Sequence, residues 1–221
     1  MLKRPRFWSS VLITVFIALL LPSTALTVPY DSIFKTSNTN WNCASGGSQP
    51  NYGDVFCRTD NRSYEFWIAP QGYSSSEKGQ IRSVLRNEYD DTVLNPYEVS
   101  NPTFNASGTE ETDLITDKAE LDNFFPGANA SGITWCSDKI DTVRCDQHYV
   151  FIDDDATAIV GPVGFTSIAC HEIGHTVGLT HPYEAYPRQS ADDTRFRCMK
   201  TTAPTNTGPG DNNKTQINAT Y

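Results

Sequence analysis

Apolar residues recur at helical spacing in the segment SSSEKGQIRSVLRNEY, residues 74–89. Its apolar positions are Ile81, Val84, Leu85 and Tyr89. They lie on one face of a helix. Ser74 and Glu77 are spaced as in a capping box, which satisfies backbone N–H groups of the first helical turn. The pattern therefore predicts an amphipathic helix that packs on a sheet.

Short β-prone runs of apolar and aromatic residues predict the strands of that sheet. The clearest is YEFWIA, residues 64–69, and further strands are expected at residues 113–119, 132–136 and 148–153. Short strands followed by a helix are typical of an α+β domain. We find no internal repeat and no sign of a second folded domain.

A second helix is predicted within GPVGFTSIACHEIGHTVGLTH, residues 161–181. Thr166 is a suitable N-cap residue, and Ile168 and Ile173 supply apolar positions. Gly178 is expected to end this helix, because glycine readily adopts the positive φ of a helix C-terminus.

The first 25 residues have the pattern of a secretory signal peptide. Basic residues precede an apolar run from Val11 to Leu21, and small residues follow at positions 23–25. The basic residues are Lys3, Arg4 and Arg6. The apolar run is short for a bilayer span. We therefore expect residues 1–25 to be removed and the protein to be secreted to the extracellular space.

The remaining chain divides by composition into two parts. Residues 26–60 are rich in Ser, Asn, Thr and Gly, and they form either a propeptide or a loop closed by a disulfide between Cys43 and Cys57. Residues 61–221 contain the predicted strands and helices, and we expect them to form one catalytic domain.

Charge and cysteine content narrow the class of protein further. Loss of three positive charges with the leader takes the formal net charge from −9 to −12. An acidic chain of this kind is poorly suited to bind nucleic acid or an anionic membrane, because like charges repel. The six cysteines are even in number and include no C-x-x-C pair, which favours three disulfides over a cysteine metal site. Composition alone leaves all of the pairings open.

Three of the four histidines lie within HEIGHTVGLTH, residues 171–181. On a helix, His171 and His175 project from the same face one turn apart, so both can bind one metal ion. A sharp turn at Gly178 would bring His181 back as the third ligand. Glu172 lies beside the first ligand, where its carboxylate can act as general base on a metal-bound water. Three imidazoles leave one position open, which indicates a catalytic Zn²⁺ and favours amide hydrolysis. The competing interpretation is a buried helix with ordinary polar histidines.

The pattern H-E-x-x-H-x-x-G-x-x-H resembles the signature of the metzincin zinc metalloendopeptidases. Members of that family have a methionine turn beneath the zinc, and Met199 is the candidate here. The motif HEIGHTVGLTHP is locally similar to that of serralysins, but Thr201 stands where serralysins have tyrosine. The whole chain resembles the small secreted matrixin-like proteases, although it lacks their P-R-C-G propeptide motif. The specific resemblance covers about residues 148–200.

The resemblance implies a zincin-like domain, with a small twisted mixed sheet, the amphipathic helix and the active-site helix. It also implies that residues 148–153 form the edge strand that pairs with an extended peptide substrate. The protein is expected to be a monomer. Asp153, Asp154 and Asp155 leave calcium binding open, since no calcium motif accompanies them.

A methionine turn beneath the zinc helix would bring Cys170 close to Cys198, so the resemblance implies a disulfide there. Proximity in the sequence then pairs the remaining cysteines as Cys43–Cys57 and Cys136–Cys145. A free, buried Cys170 is the alternative.

Two other functions compete with a secreted peptidase. The first is a non-catalytic binding or toxin-like module that keeps zinc for stability. The second is a zinc hydrolase of a non-protein amide. The presence of Glu172 favours an enzyme, because an inactive descendant has no need of the general base.

Overall fold

The computed structural model of the chain describes residues 30–34, 43, 57–104, 111–124, 130–201 and 207–221. The expected leader, residues 1–25, lies outside these ranges. Strands and helices occur together in one mixed fold with a largely parallel sheet.

Six strands form the sheet. Five are parallel in the order β1-β6-β4-β2-β3, and β5 pairs antiparallel with β6. Their bounds are β1 Arg58–Thr59, β2 Glu65–Ile68, β3 Tyr97–Glu98, β4 Leu114–Ala119, β5 Gly132–Lys139 and β6 Arg144–Asp153. All four strands predicted from the sequence are present, and β5 and β6 are longer than their apolar runs indicated.

Four α-helices accompany the sheet in the described residues. Their bounds are α1 Ser75–Ser83, α2 Leu121–Phe124, α3 Ala156–Thr176 and α4 Asp211–Thr220. The predicted capping box is present at α1: Ser74 accepts from the Glu77 N–H, and the Glu77 side chain accepts from the Ser74 N–H. The chain continues from α1 into a π-helical segment, Val84–Tyr89.

The main hydrophobic core lies between the sheet and the helices α1 and α3. Phe66 and Ile68 of β2 and Val150 and Ile152 of β6 alternate with more exposed neighbours, as period-two patterning requires. A smaller apolar cluster surrounds Phe34.

The expected start of the second long helix at Thr166 is wrong. Helix α3 begins at Ala156, ten residues earlier, and Phe165 and Ala169 within it are fully buried. A segment that enters the core must satisfy its backbone polar groups, and a continuous helix does so. The proline and glycines of residues 161–164 therefore lie inside this helix.

The prediction that residues 148–153 form an edge strand is also wrong. Residues 148–152 of β6 pair with β4 on one side and with β5 on the other. Among the described residues, β5 pairs with β6 alone and so lies at the border of the sheet, next to α3. The sequence could not reveal this, because strand order depends on contacts between distant segments.

Disulfides join Cys43 to Cys57, Cys136 to Cys145 and Cys170 to Cys198. The Cys170–Cys198 pair is the one that the resemblance implied, and the other two are the pairs expected from proximity in the sequence. No helix among the described residues combines the length and apolar character needed to cross a bilayer.

His148 is fully buried on β6. Burial lowers the pKa of His148 to about 3, against the opposing effect of the Cys57 backbone. The unfolded chain protonates this imidazole near pH 6.5, whereas the folded protein excludes the proton until about pH 3. His148 therefore leaves the free energy of unfolding unchanged above pH 6.5. Below that pH the free energy of unfolding falls towards pH 3, because only the unfolded chain binds the proton.

We predict that His148→Leu flattens the acid limb of the stability curve. Urea unfolding of metal-free protein at several pH values between 6.5 and 3 measures it. One excluded proton gives a slope of about 1.4 kcal/mol per pH unit, so the wild-type curve should be steeper by up to that amount. Parallel curves for the two proteins would contradict the prediction, whatever their offset.

Candidate metal centre

Three histidine side chains converge at the C-terminal end of α3. His171 and His175 lie one turn apart on the helix, and their Nε2 atoms are 3.0 Å apart. The Nε2 atom of His181 lies 3.2 Å from that of His171. The described residues thus bring together the three ligands that the motif predicted.

Gly178 makes the return of the chain to the site feasible. Helix α3 ends at Thr176, and Gly178 has a φ of +87°, in the left-handed region that favours glycine. A Cβ atom there would lie 2.8 Å from Cγ of Arg58. Both the backbone conformation and the contact with Arg58 exclude larger residues, as the predicted sharp turn requires.

The loop that carries His181 is held by the segment 30–34. The Phe34 N–H donates to the Gly178 carbonyl at 2.7 Å, and the Thr180 N–H donates to the Ser32 carbonyl at 2.8 Å. Residues 30–34 belong to the segment for which a propeptide or a closed loop was expected. In the structure these residues pack against the loop that carries His181, in the same folded unit as the three histidines.

Each histidine ring is oriented by a partner at its other nitrogen. Nδ1 of His171 lies 2.8 Å from the Cys198 carbonyl, and Nδ1 of His175 lies 2.8 Å from the Leu179 carbonyl. Nδ1 of His181 lies 3.1 Å from Oε2 of Glu184. Carbonyl and carboxylate oxygens only accept, so each Nδ1 donates to its partner, and the three Nε2 atoms face one another.

Burial favours the neutral rings that a metal requires. It lowers the pKa of His171 to about 3, with a further contribution from His181. The pKa of His175 is also well below its ordinary value, first through burial and then through the neighbouring histidines. Both rings are therefore unprotonated at neutral pH.

The donor set fits a single metal ion. Three lone pairs that face one another about 3 Å apart repel unless a cation lies between them. Tetrahedral zinc with Zn–N bonds of about 2.05 Å would separate its nitrogens by ~3.3 Å, close to the separations observed. A second group of metal-binding type, Cys43, Cys57 and Cys136, has all its sulfurs in disulfides and offers no thiolate.

Glu172 lies beside His171 and is buried between α3 and β5. The Thr134 hydroxyl on β5 lies 2.7 Å from Oε2 of Glu172 and 2.9 Å from its main-chain carbonyl. Burial raises the pKa of Glu172 to about 7, while the Thr134 hydrogen bond opposes the shift. A carboxylate with this pKa suits proton transfer near neutral pH.

Met199 packs against helix α3 next to the histidine ligand candidates. It is fully buried, and its thioether lies against Gly174 of α3. The disulfide from Cys170 to Cys198 joins the helix to this segment. The same bond fixes the Cys198 carbonyl, which orients the ring of His171.

Sequence reasoning missed three residues of the site. Thr134 contacts Glu172 from a strand 38 residues away in the chain, and no local pattern indicates this. Glu184 follows His181 by three residues and accepts from its N–H, a spacing typical of capping boxes that was open to detection. Tyr183 stacks on the His181 ring, with 5.2 Å between the ring centroids.

The acidic run considered for calcium has a structural role in the described residues. Oδ2 of Asp153 accepts from the Leu121 N–H, and Oδ1 accepts from the Asp155 N–H. The Asp153 carboxylate therefore orders the connections around α2 and α3. Nothing further supports calcium.

Neither the protein-family models nor the curated proteins with which we compared the chain include a match. Its function therefore has to be inferred from the geometry of its own site.

We predict that Glu184→Gln weakens zinc binding by about 10- to 100-fold, as loss of a carboxylate partner to a ligand histidine does elsewhere. The amide is nearly isosteric, but it removes the negative charge that favours a cation on the ring. Competition with a chelator of known zinc affinity measures the change. Glu120→Gln, at an exposed position, is the matched control. Equal zinc affinity in the two variants would show that Glu184 does not support His181.

Proposed function

We propose that this protein is a secreted zinc-dependent endopeptidase of the metzincin type. The observation that carries the proposal is the convergence of three Nε2 lone pairs next to a buried carboxylate that is not one of the converging ligands. An ordinary polar helix has no reason to direct two of its histidines at a third histidine from the loop that follows it. The mixed sheet and the methionine beneath the histidines agree with the resemblance seen in the sequence motif.

Zinc suits this donor set better than harder cations, because imidazole ligands select zinc and similar metals. His171, His175 and His181 would hold it and leave a fourth position for a small molecule. When bound, zinc acts as a Lewis acid that polarises a carbonyl and acidifies water.

Glu172 supplies the proton transfers of the reaction. Its Oε2 atom accepts from Thr134, which leaves Oε1 as the oxygen available to take a proton from the attacking water. The same carboxylic acid then delivers that proton to the nitrogen of the departing amine. Burial of Glu172 keeps bulk water away from this exchange.

A peptide substrate is supported by the position of β5. This strand borders the sheet in the described residues, and its Thr134 contacts the general base. An extended peptide can add to such an edge through main-chain hydrogen bonds, and so lie beside the metal. The expected mode of peptide binding therefore applies to β5, which contacts Glu172, and not to β6.

Secretion is supported by the leader pattern of residues 1–25 and by three disulfides, which are typical of oxidising compartments. The acidic net charge disfavours nucleic acid and anionic membranes as partners. We propose that the mature protein acts as a monomer.

We predict that Glu172→Ala lowers the rate of casein hydrolysis by at least about 10²- to 10⁴-fold, which is the contribution of general acid–base catalysis. Zinc content should remain near one ion per chain, because Glu172 is not a ligand. Release of acid-soluble peptides from casein gives the rate of hydrolysis, and atomic absorption gives the zinc content. Glu120→Ala is the control, since its side chain is exposed and distant in sequence from the motif.

A chelator should abolish wild-type hydrolysis, and added zinc should restore it. Chelator-resistant hydrolysis, or normal turnover by Glu172→Ala, would exclude this mechanism. Zinc-loaded wild type that cleaves no peptide but hydrolyses another amide would indicate the non-protein substrate. A loaded protein inactive on both would indicate a non-catalytic module.

A further inference from the structure

Thr134 makes the only hydrogen bond to the Glu172 carboxylate among the described residues. Its hydroxyl lies between two acceptors of the same residue, Oε2 at 2.7 Å and the main-chain carbonyl at 2.9 Å. A hydroxyl donates one proton and can also accept. Thr134 therefore contacts both the side chain that transfers protons and the helix backbone that carries it.

The strand around Thr134 leaves space for the Glu172 side chain. Gly132 and Thr134 are two residues apart on β5, so they face the same side of the sheet. A Cβ atom on Gly132 would lie 2.7 Å from Cγ of Glu172 and 2.9 Å from its Oε1. The Glu172 side chain thus occupies the space above Gly132 and is held at its other oxygen by Thr134.

A carboxylate on a side chain with three rotatable bonds gains little catalytic advantage unless its orientation is fixed. Among the described residues, no basic side chain contacts the Glu172 carboxylate, and the Thr134 hydroxyl holds its Oε2 atom. The hydroxyl is therefore the group that selects which carboxylate oxygen is held and which is free.

We propose that Thr134 is a positioning residue that fixes the Glu172 carboxyl, with Oε2 bound and Oε1 free for proton transfer. This inference rests on the proposed peptidase function. Because the proton is taken at Oε1, Oε2 remains an acceptor in both the carboxylate and the carboxylic acid. The Thr134 hydroxyl can therefore donate to Oε2 before and after the proton is transferred.

Two substitutions separate the hydroxyl from the rest of the side chain. Thr134→Val keeps the branched shape and removes the hydroxyl, whereas Thr134→Ser keeps the hydroxyl and removes the methyl group. A lost hydrogen bond to a charged group corresponds to roughly a 10- to 100-fold decrease in rate. We expect this decrease in kcat for Thr134→Val, with KM and zinc content unchanged, and near wild-type kcat for Thr134→Ser.

The double variant with Glu172→Ala tests whether Thr134 acts through Glu172. On that background, Thr134→Val should not lower the residual rate further, because the group it positions is gone. Crystal structures of the zinc-loaded variants give a readout that does not depend on activity. The carboxyl plane of Glu172 should be rotated or doubly occupied in Thr134→Val and unchanged in Thr134→Ser.

The outcomes are distinguishable. Wild type without zinc-dependent peptidase activity would overturn the proposed function and this inference together. Active wild type with equal kcat for Thr134→Val and Thr134→Ser would overturn the inference alone. So would a further loss of rate in the double variant, or an unchanged Glu172 carboxyl in the Thr134→Val crystal. If Thr134→Val does not fold, a kcat lowered in Thr134→Ser with its hydroxyl in place would equally overturn it.

Discussion

The facing lone pairs of three imidazoles are the constraint on which the rest of this structure depends. Each ring donates from Nδ1 to a fixed oxygen, so the three Nε2 atoms are directed at one another. The arrangement is costly without a cation and favourable with one. The fold must therefore supply stability elsewhere to hold the rings in place before a metal binds.

Several distant segments supply that stability. The Cys170–Cys198 disulfide joins the ligand helix to the segment whose carbonyl orients His171. The segment 30–34 pairs with the loop that carries His181. Burial of α3 against the sheet gives the helix a fixed axis, so that side chains one turn apart stay aligned. The ligands occupy one short stretch of sequence, but their orientation is set by residues from both ends of the chain.

Strand β5 connects the metal centre to the chemistry proposed for it. Its antiparallel pairing with β6 places Gly132 and Thr134 next to Glu172. Its other edge has no strand partner among the described residues. One strand thus contacts the proposed general base and has main-chain groups on its other edge. Under the proposed function, this arrangement would confine the carboxylate beside the metal and place a peptide next to it.

Local features of this protein could be predicted from its amino-acid sequence. The spacing of His171, His175 and Gly178 fixed the helical face and the turn, because periodicity and positive φ are properties of neighbouring residues. The capping box at Ser74 and four strands were predicted for the same reason. The start of α3 at Ala156 became evident only from the fold, in which the helix runs through a proline and two glycines. The tertiary structure alone placed β5 rather than β6 at the border and brought Thr134 to Glu172, because strand order and contacts across 38 residues leave no periodic signal.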